Sequence, residues 1–209
     1  PALAWNGSRY VLTYTALSTP VPWPHSYGSE DEEGDVYRTL LSREGEIVQR
    51  PALLAGQRGL ESSNGVASSR HATLAVWSRV ISQGGGAAEI EAAFLDSGQR
   101  FVVSQSLGWQ QSIAATRAGD VALVAWQEIT GRNQQKTIFI QRVNDRGVPL
   151  DGRGVSLAVD PTTSDQIHPA FGEGWILWVD QDPAPTGRAV VAGRRLGADG
   201  LPLQSSGFA

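Results

Sequence analysis

Carboxylates, three histidines and seven tryptophans are the side chains of this sequence with the most chemistry to offer. The densest acidic group is Glu30, Asp31, Glu32, Glu33 and Asp35, in a Pro- and Gly-bearing stretch over 16–35 that also holds Trp23, His25 and Tyr27. Carboxylate oxygens gathered in one loop are what calcium takes, and Glu30, Asp31 and Asp35 are the candidate ligands. The run lacks the alternating carboxylates and closing Glu of an EF-hand loop, so a solvated acidic loop is the plainer reading. Asp180 and Asp182, just before Pro183, could form a second calcium site or simply start a turn. His25, His71 and His168 show no metal-ligand spacing, and no zinc site is expected. Trp23 and Trp109 could each stack on a sugar or on a partner's side chain, or pack beneath a loop. Gln110 and Gln111 follow Trp109, and Asp165, Gln166 and His168 form a further polar group.

No nucleophile elbow, phosphate-cradling loop, dinucleotide fingerprint or H-E-x-x-H helix is present. With no cysteine there is no disulfide framework, thiolate metal site or cysteine nucleophile, and stability must come from a packed core. The 17 basic and 21 acidic residues, with net charge -4, supply no basic field for nucleic acid. No apolar run approaches the roughly 18 residues of a membrane-spanning helix. The first residues show no basic segment followed by an apolar one, so any export signal is expected to be absent or already removed. The Gly, Ser, Pro and Trp content suits a secreted all-β protein.

What positions these residues is a fourfold repeat. Four apolar runs end in an aromatic residue, at Tyr14, Trp77, Trp126 and Trp178, spaced 63, 49 and 52 residues apart. Four later segments close on Gly45, Gly98, Gly147 and Gly200, spaced 53, 49 and 53 apart. Two independent markers keep one period of about 50 residues, the mark of a repeat architecture. Each unit reads as strand, strand, strand, turn, strand. "NDRG" and "GADG" place glycine where a tight hairpin needs positive φ. The aromatic-ended strand is nearly continuously apolar, which predicts burial on both faces. The one helical competitor, 86–94, falls where the repeat demands a strand.

Four-stranded units whose inner strands are buried on both faces are blades of a β-propeller. The expected fold is therefore all-β: a single propeller domain of four four-stranded antiparallel blades at about 1–55, 56–108, 109–160 and 161–209. The pattern resembles that of bacterial exported β-propeller repeat proteins, in which an aromatic-ended strand and a glycine-closed hairpin recur. That resemblance implies a secreted or cell-surface location. The tryptophan-aspartate signature of one propeller family and the sialidase Asp-box are missing, and the double glycine of kelch blades occurs only at 84–86. Neither terminus is expected to donate a strand to the other's sheet. A closed four-bladed ring, part of a larger ring completed by another copy or chain, and a fragment all remain open. An unclosed arc would expose an apolar blade face, so closure or association is expected.

In such a blade the loops joining strands two and three share a face with the crossovers between blades, and here those loops vary most in length. Binding is expected on that face. The candidate ligand-binding residues are Trp23, His25, Tyr27, Trp109, Gln110 and His168. The leading functional reading is a non-enzymatic binding or assembly module presenting this face to a protein or surface glycan, with no cofactor other than calcium. A carbohydrate-active enzyme is the alternative, with Glu30, Asp35, Asp165 and Asp180 converging near the axis. A structural subunit of a larger ring or filament is the third reading.

Overall fold

A computed structural model of the 209-residue chain describes residues 1–17, 34–56, 61–69, 72–81, 88–106, 108–130, 135–157, 164–182 and 187–208. It is all-β, with sixteen strands among the described residues. They form four sheets of four antiparallel strands, each laid down in chain order. Blade I contains β1 (Ala2–Trp5), β2 (Tyr10–Leu17), β3 (Gly34–Leu41) and β4 (Ile47–Ala55). Blade II contains β5 (Glu61–Ser68), β6 (Thr73–Val80), β7 (Ala88–Phe94) and β8 (Arg100–Ser106). Blade III contains β9 (Gln110–Ala118), β10 (Val121–Thr130), β11 (Gln135–Val143) and the short β12 (Val155–Ser156). Blade IV contains β13 (Asp165–Gly172), β14 (Trp175–Gln181), β15 (Ala189–Leu196) and β16 (Pro202–Phe208). The helical competitor is strand β7, as the repeat requires.

The first strands of successive blades pack on one another, β1 on β5, β5 on β9 and β9 on β13, as they must if they surround a common axis. Between the blades lie three apolar clusters. Trp77 is buried against Val36, Leu54 and Ala55 of blade I. Trp126 is buried with Leu74, Val76, Ile90 and Ala92 of blade II, and Trp178 with Ile138, Ile140 and Leu157 of blade III. Each tryptophan thus points back toward the blade before it. Because side chains alternate across a strand, the intervening residues of the same strand face the blade after it. This double duty is why the second strands are apolar on both faces: β6 is buried from Thr73 to Ser78.

The glycine marker has a matching cause. Gly147 has φ +76°, and a Cβ there would come within 2.6 Å of Phe101 in the preceding blade. Gly200 has φ +80°, with the corresponding contact at 2.7 Å to Leu123. Both hairpins therefore need a left-handed residue and room for the preceding blade to approach, and glycine supplies both.

The blades run I, II, III, IV as an arc. Among the described residues no apolar cluster and no comparable strand packing joins blade IV to blade I. Neither end lends a strand to the other's sheet.

Candidate functional site on the loop face

Strand directions put the starts of each blade's first and third strands, and the ends of its second and fourth, on one face. The loops between second and third strands and the crossovers join the blades there. Just beneath this face, two residues beyond each tryptophan, lies a polar level: Arg79 after Trp77, Glu128 after Trp126 and Asp180 after Trp178. Opposite them on the first strands stand Glu61, Gln110 and Gln166, all buried.

Between blades II and III this level forms a closed hydrogen-bonded clasp. Glu128 Oε2 accepts from Trp126 Nε1 at 3.2 Å and from Gln110 Nε2 at 3.0 Å, and Glu128 Oε1 accepts from Ser106 of blade II at 2.5 Å. Gln110 Nε2 also reaches Ser104 Oγ at 3.0 Å, and the Ser78 hydroxyl donates to the Gln110 carbonyl. Between blades III and IV, Gln166 Oε1 accepts from the Ile138 N–H at 3.2 Å. Asp165 accepts from the Lys136 N–H at 3.1 Å and pairs with Lys136 Nζ at 3.2 Å.

The crevice between blades I and II is different in charge. Arg79 Nη1 lies 2.7 Å from Glu91 Oε1, and Nη2 lies 3.4 Å from Glu89 Oε1. Trp77 Nε1 donates to Glu91 Oε2 at 3.1 Å, and Gln105 Nε2 to Glu89 Oε2 at 2.9 Å. Glu61 stands opposite Arg79 on β5. Here two carboxylates share one guanidinium. Burial pushes the Glu91 carboxyl above the ordinary glutamate range against the pull of Arg79, and neighbouring Glu89 reinforces the rise by hydrogen bonding and repulsion.

First strands carry a second shared feature. In blades II, III and IV the pairing of first and second strands slips opposite the tryptophan, between Ser62 and Gly65, between Gln111 and Ala114, and between Ile167 and Ala170. These are β-bulges at equivalent positions on the strands nearest the axis. Ser112 and His168, at matching places in two of them, adopt φ +52° and +53°, a conformation that non-glycine residues adopt at a cost of about 1–3 kcal/mol.

Of the residues singled out from sequence, Trp23, His25, Tyr27, Glu30, Asp31 and His71 lie outside the described residues. Trp109 is on the crossover into β9 and 41% exposed. Gln110 is 1% exposed, with its amide nitrogen engaged in the clasp. His168 is exposed at its bulge. Asp35 opens β3 beside Tyr37, whose hydroxyl lies 3.4 Å from its Oδ2, and Asp165 and Asp180 sit at the ends of β13 and β14 on the loop face. Among the described residues no group of three or more His, Asp or Glu side chains is arranged to hold a metal ion. Glu61, Arg79, Glu89, Glu91 and Glu128 were not picked out from sequence. The aromatic-x-polar spacing of Trp77-x-Arg79, Trp126-x-Glu128 and Trp178-x-Asp180 is the signal that marks their level.

No family model matches the chain, and no curated protein matches it. Solved structures do share its fold. An exo-1,5-α-L-arabinanase from a bovine ruminal metagenomic library aligns with a TM-score of 0.56 at 10% identity, over 96% of this chain and 75% of that one. A thermostable family-43 glycoside hydrolase aligns at 0.59 and 8% identity, over 95% and 72%. A Hadza microbial sialidase aligns at 0.63 and 14% identity, over 99% of this chain and 46% of the sialidase. At these identities the likeness is one of fold: the chain is a β-propeller of four blades whose architecture recurs in carbohydrate-active enzymes.

Proposed function

We propose that this chain is a carbohydrate-active propeller of glycoside hydrolase type, taking a glycan on the face of unequal loops. The observation that carries the reading is the Glu89–Glu91 pair, two carboxylates on one guanidinium, with the Glu91 carboxyl raised above the ordinary glutamate range by burial. The Glu128 clasp is different, because all its donors are neutral and no second carboxylate shares them. A carboxyl that retains its proton can protonate a departing glycosidic oxygen, while an ionised carboxylate stabilises the positive charge developing on the sugar ring. Glu91 is the proton donor in this scheme. Asp35 and Asp165, at the starts of β3 and β13 on the same face, are the candidates for the second carboxylate. The fold shared with an arabinanase, a family-43 hydrolase and a sialidase supports the substrate class. Under this reading the protein works at the cell surface or outside the cell.

The test is turnover of aryl arabinofuranosides, aryl sialosides and polymeric arabinan by wild type, Glu91→Gln, Asp35→Asn and Asp165→Asn. The proposal expects turnover on at least one substrate, falling 100-fold or more in Glu91→Gln and in one of the two Asp variants. Undiminished turnover in all three variants, or none in wild type, would refute it.

Exposure of Trp109 favours a second reading, a non-enzymatic module that stacks a sugar or a protein side chain on this indole. Under that reading a glycan or protein ligand binds without turnover, and Trp109→Ala loses it.

A further inference from the structure

The three interfaces within the arc obey one rule: an aromatic side chain on the second strand of a blade is buried against an aliphatic face of the blade before it. Blade I carries the same element, and among the described residues no apolar cluster covers it. Tyr14 occupies the position of Trp77, Trp126 and Trp178, and stacks on its cross-strand partner Tyr37 at 5.8 Å as Trp126 does on Phe139 at 5.9 Å. The three tryptophans are at most 3% exposed, whereas Tyr14 and Tyr37 are only partly buried. Strand alternation puts Leu3, Leu12, Leu41 and Leu53 on that face, with Leu3 55% and Leu53 56% exposed.

The complementary half is at the other end. In blade IV, Ile176, Trp178 and Ala192 face blade III, so Leu177, Val179 and Val191 face away from it. Leu177 and Val191 correspond to aliphatic residues that cover the next blade's tryptophan at the interior interfaces, Val76 and Ile90 in blade II and Ala125 and Ile138 in blade III, and Val191 is 58% exposed. The arc therefore ends in two apolar surfaces, one fitted to receive an aromatic pair and the other presenting it.

We infer that these two surfaces are a head-to-tail interface between copies of this chain, blade IV of one copy covering Tyr14 and Tyr37 of the next. The contact continues the interface that already joins blades I to II, II to III and III to IV. It is heterologous, so the copies form a closed ring where the rotation closes and a longer assembly where it does not.

Sedimentation of the intact chain over a micromolar concentration series tests this, with Tyr14→Arg, Val191→Glu and their equimolar mixture alongside. The wild type is expected at twice the 22.3 kDa chain mass or more, and each variant alone at the chain mass with an unchanged β-sheet circular dichroism spectrum. The mixture is expected to recover dimer, because one copy's intact blade IV can still cover the other's intact Tyr14. Wild type that stays at the chain mass across the series, or assemblies that survive both substitutions, would overturn the inference. Failure of the mixture to associate would equally overturn it, since that is the result for a symmetric contact. Leu12→Arg, on the same face of β2, provides the second blade I variant should Tyr14→Arg lose its spectrum.

Discussion

Trp126 Nε1 donates a 3.2 Å hydrogen bond to Glu128 Oε2, two residues farther along the same strand. An i, i+2 pair lies on one face of a strand, so the indole that fills the crevice between blades II and III is tied to the carboxylate that closes it. Apolar packing and polar closure are thus encoded two residues apart.

Removing the carboxylate should be costly. Glu128→Ala takes the acceptor from the buried Trp126 Nε1, from one N–H of the Gln110 amide, which keeps Ser104, and from the part-buried Ser106 hydroxyl, and a buried donor left unpaired costs about 1–3 kcal/mol. The expected loss is about 3–5 kcal/mol, read as a lower urea midpoint at constant m. Glu128→Gln, which keeps one acceptor oxygen, should lose markedly less.

Gly147 and Gly119 separate backbone strain from steric approach. Both have positive φ, but a Cβ at Gly119 meets nothing within 4 Å, while at Gly147 it meets Phe101. Gly119→Ala should cost about 1 kcal/mol from conformation alone. Gly147→Ala should cost distinctly more, and part of the excess should return in the double variant with Phe101→Leu, measured as a double-mutant cycle.

Glu91 sets a pH dependence of defined sign. Its carboxyl is held above the ordinary range chiefly by burial, so in the window between its unfolded and folded values the folded state binds more protons. Stability then falls as pH rises through that window, and the contribution is fully present only below it. Glu91→Gln should flatten this slope. A wild-type stability profile that rises through the window, once the other carboxylates are accounted for by the variant's own profile, contradicts the assignment.

The fold was legible because two physical necessities leave sequence marks. Tyr14, Trp77, Trp126 and Trp178 recur because each blade must bury a large aromatic against its predecessor. Gly147 and Gly200 recur because their hairpins need both left-handed backbone and clearance from that predecessor. The polar level was less legible. Glu89 and Glu91 look like solvated strand residues in "AEIEAAF", and only the pairing of Trp77 with Glu91 and Arg79 with Glu89 reveals them as a buried cluster. Gln110 follows an exposed tryptophan and reads as surface, yet strand alternation turns it inward to Glu128. The inner-strand bulges at Ser112 and His168 carry no turn residue such as Gly or Asn at the left-handed position, so periodicity passes over them.

Equilibrium binding of arabino- and sialo-oligosaccharides to wild type and Trp109→Ala, followed by calorimetry, tests most directly whether the loop face handles carbohydrate. Trp109 is exposed and outside the apolar clusters, so its loss should leave the unfolding midpoint within about 0.5 kcal/mol of wild type. The account predicts measurable binding of at least one of these glycans and a tenfold or greater weakening in Trp109→Ala. Heat-silent titrations with every glycan, or affinity untouched by the substitution, would contradict it.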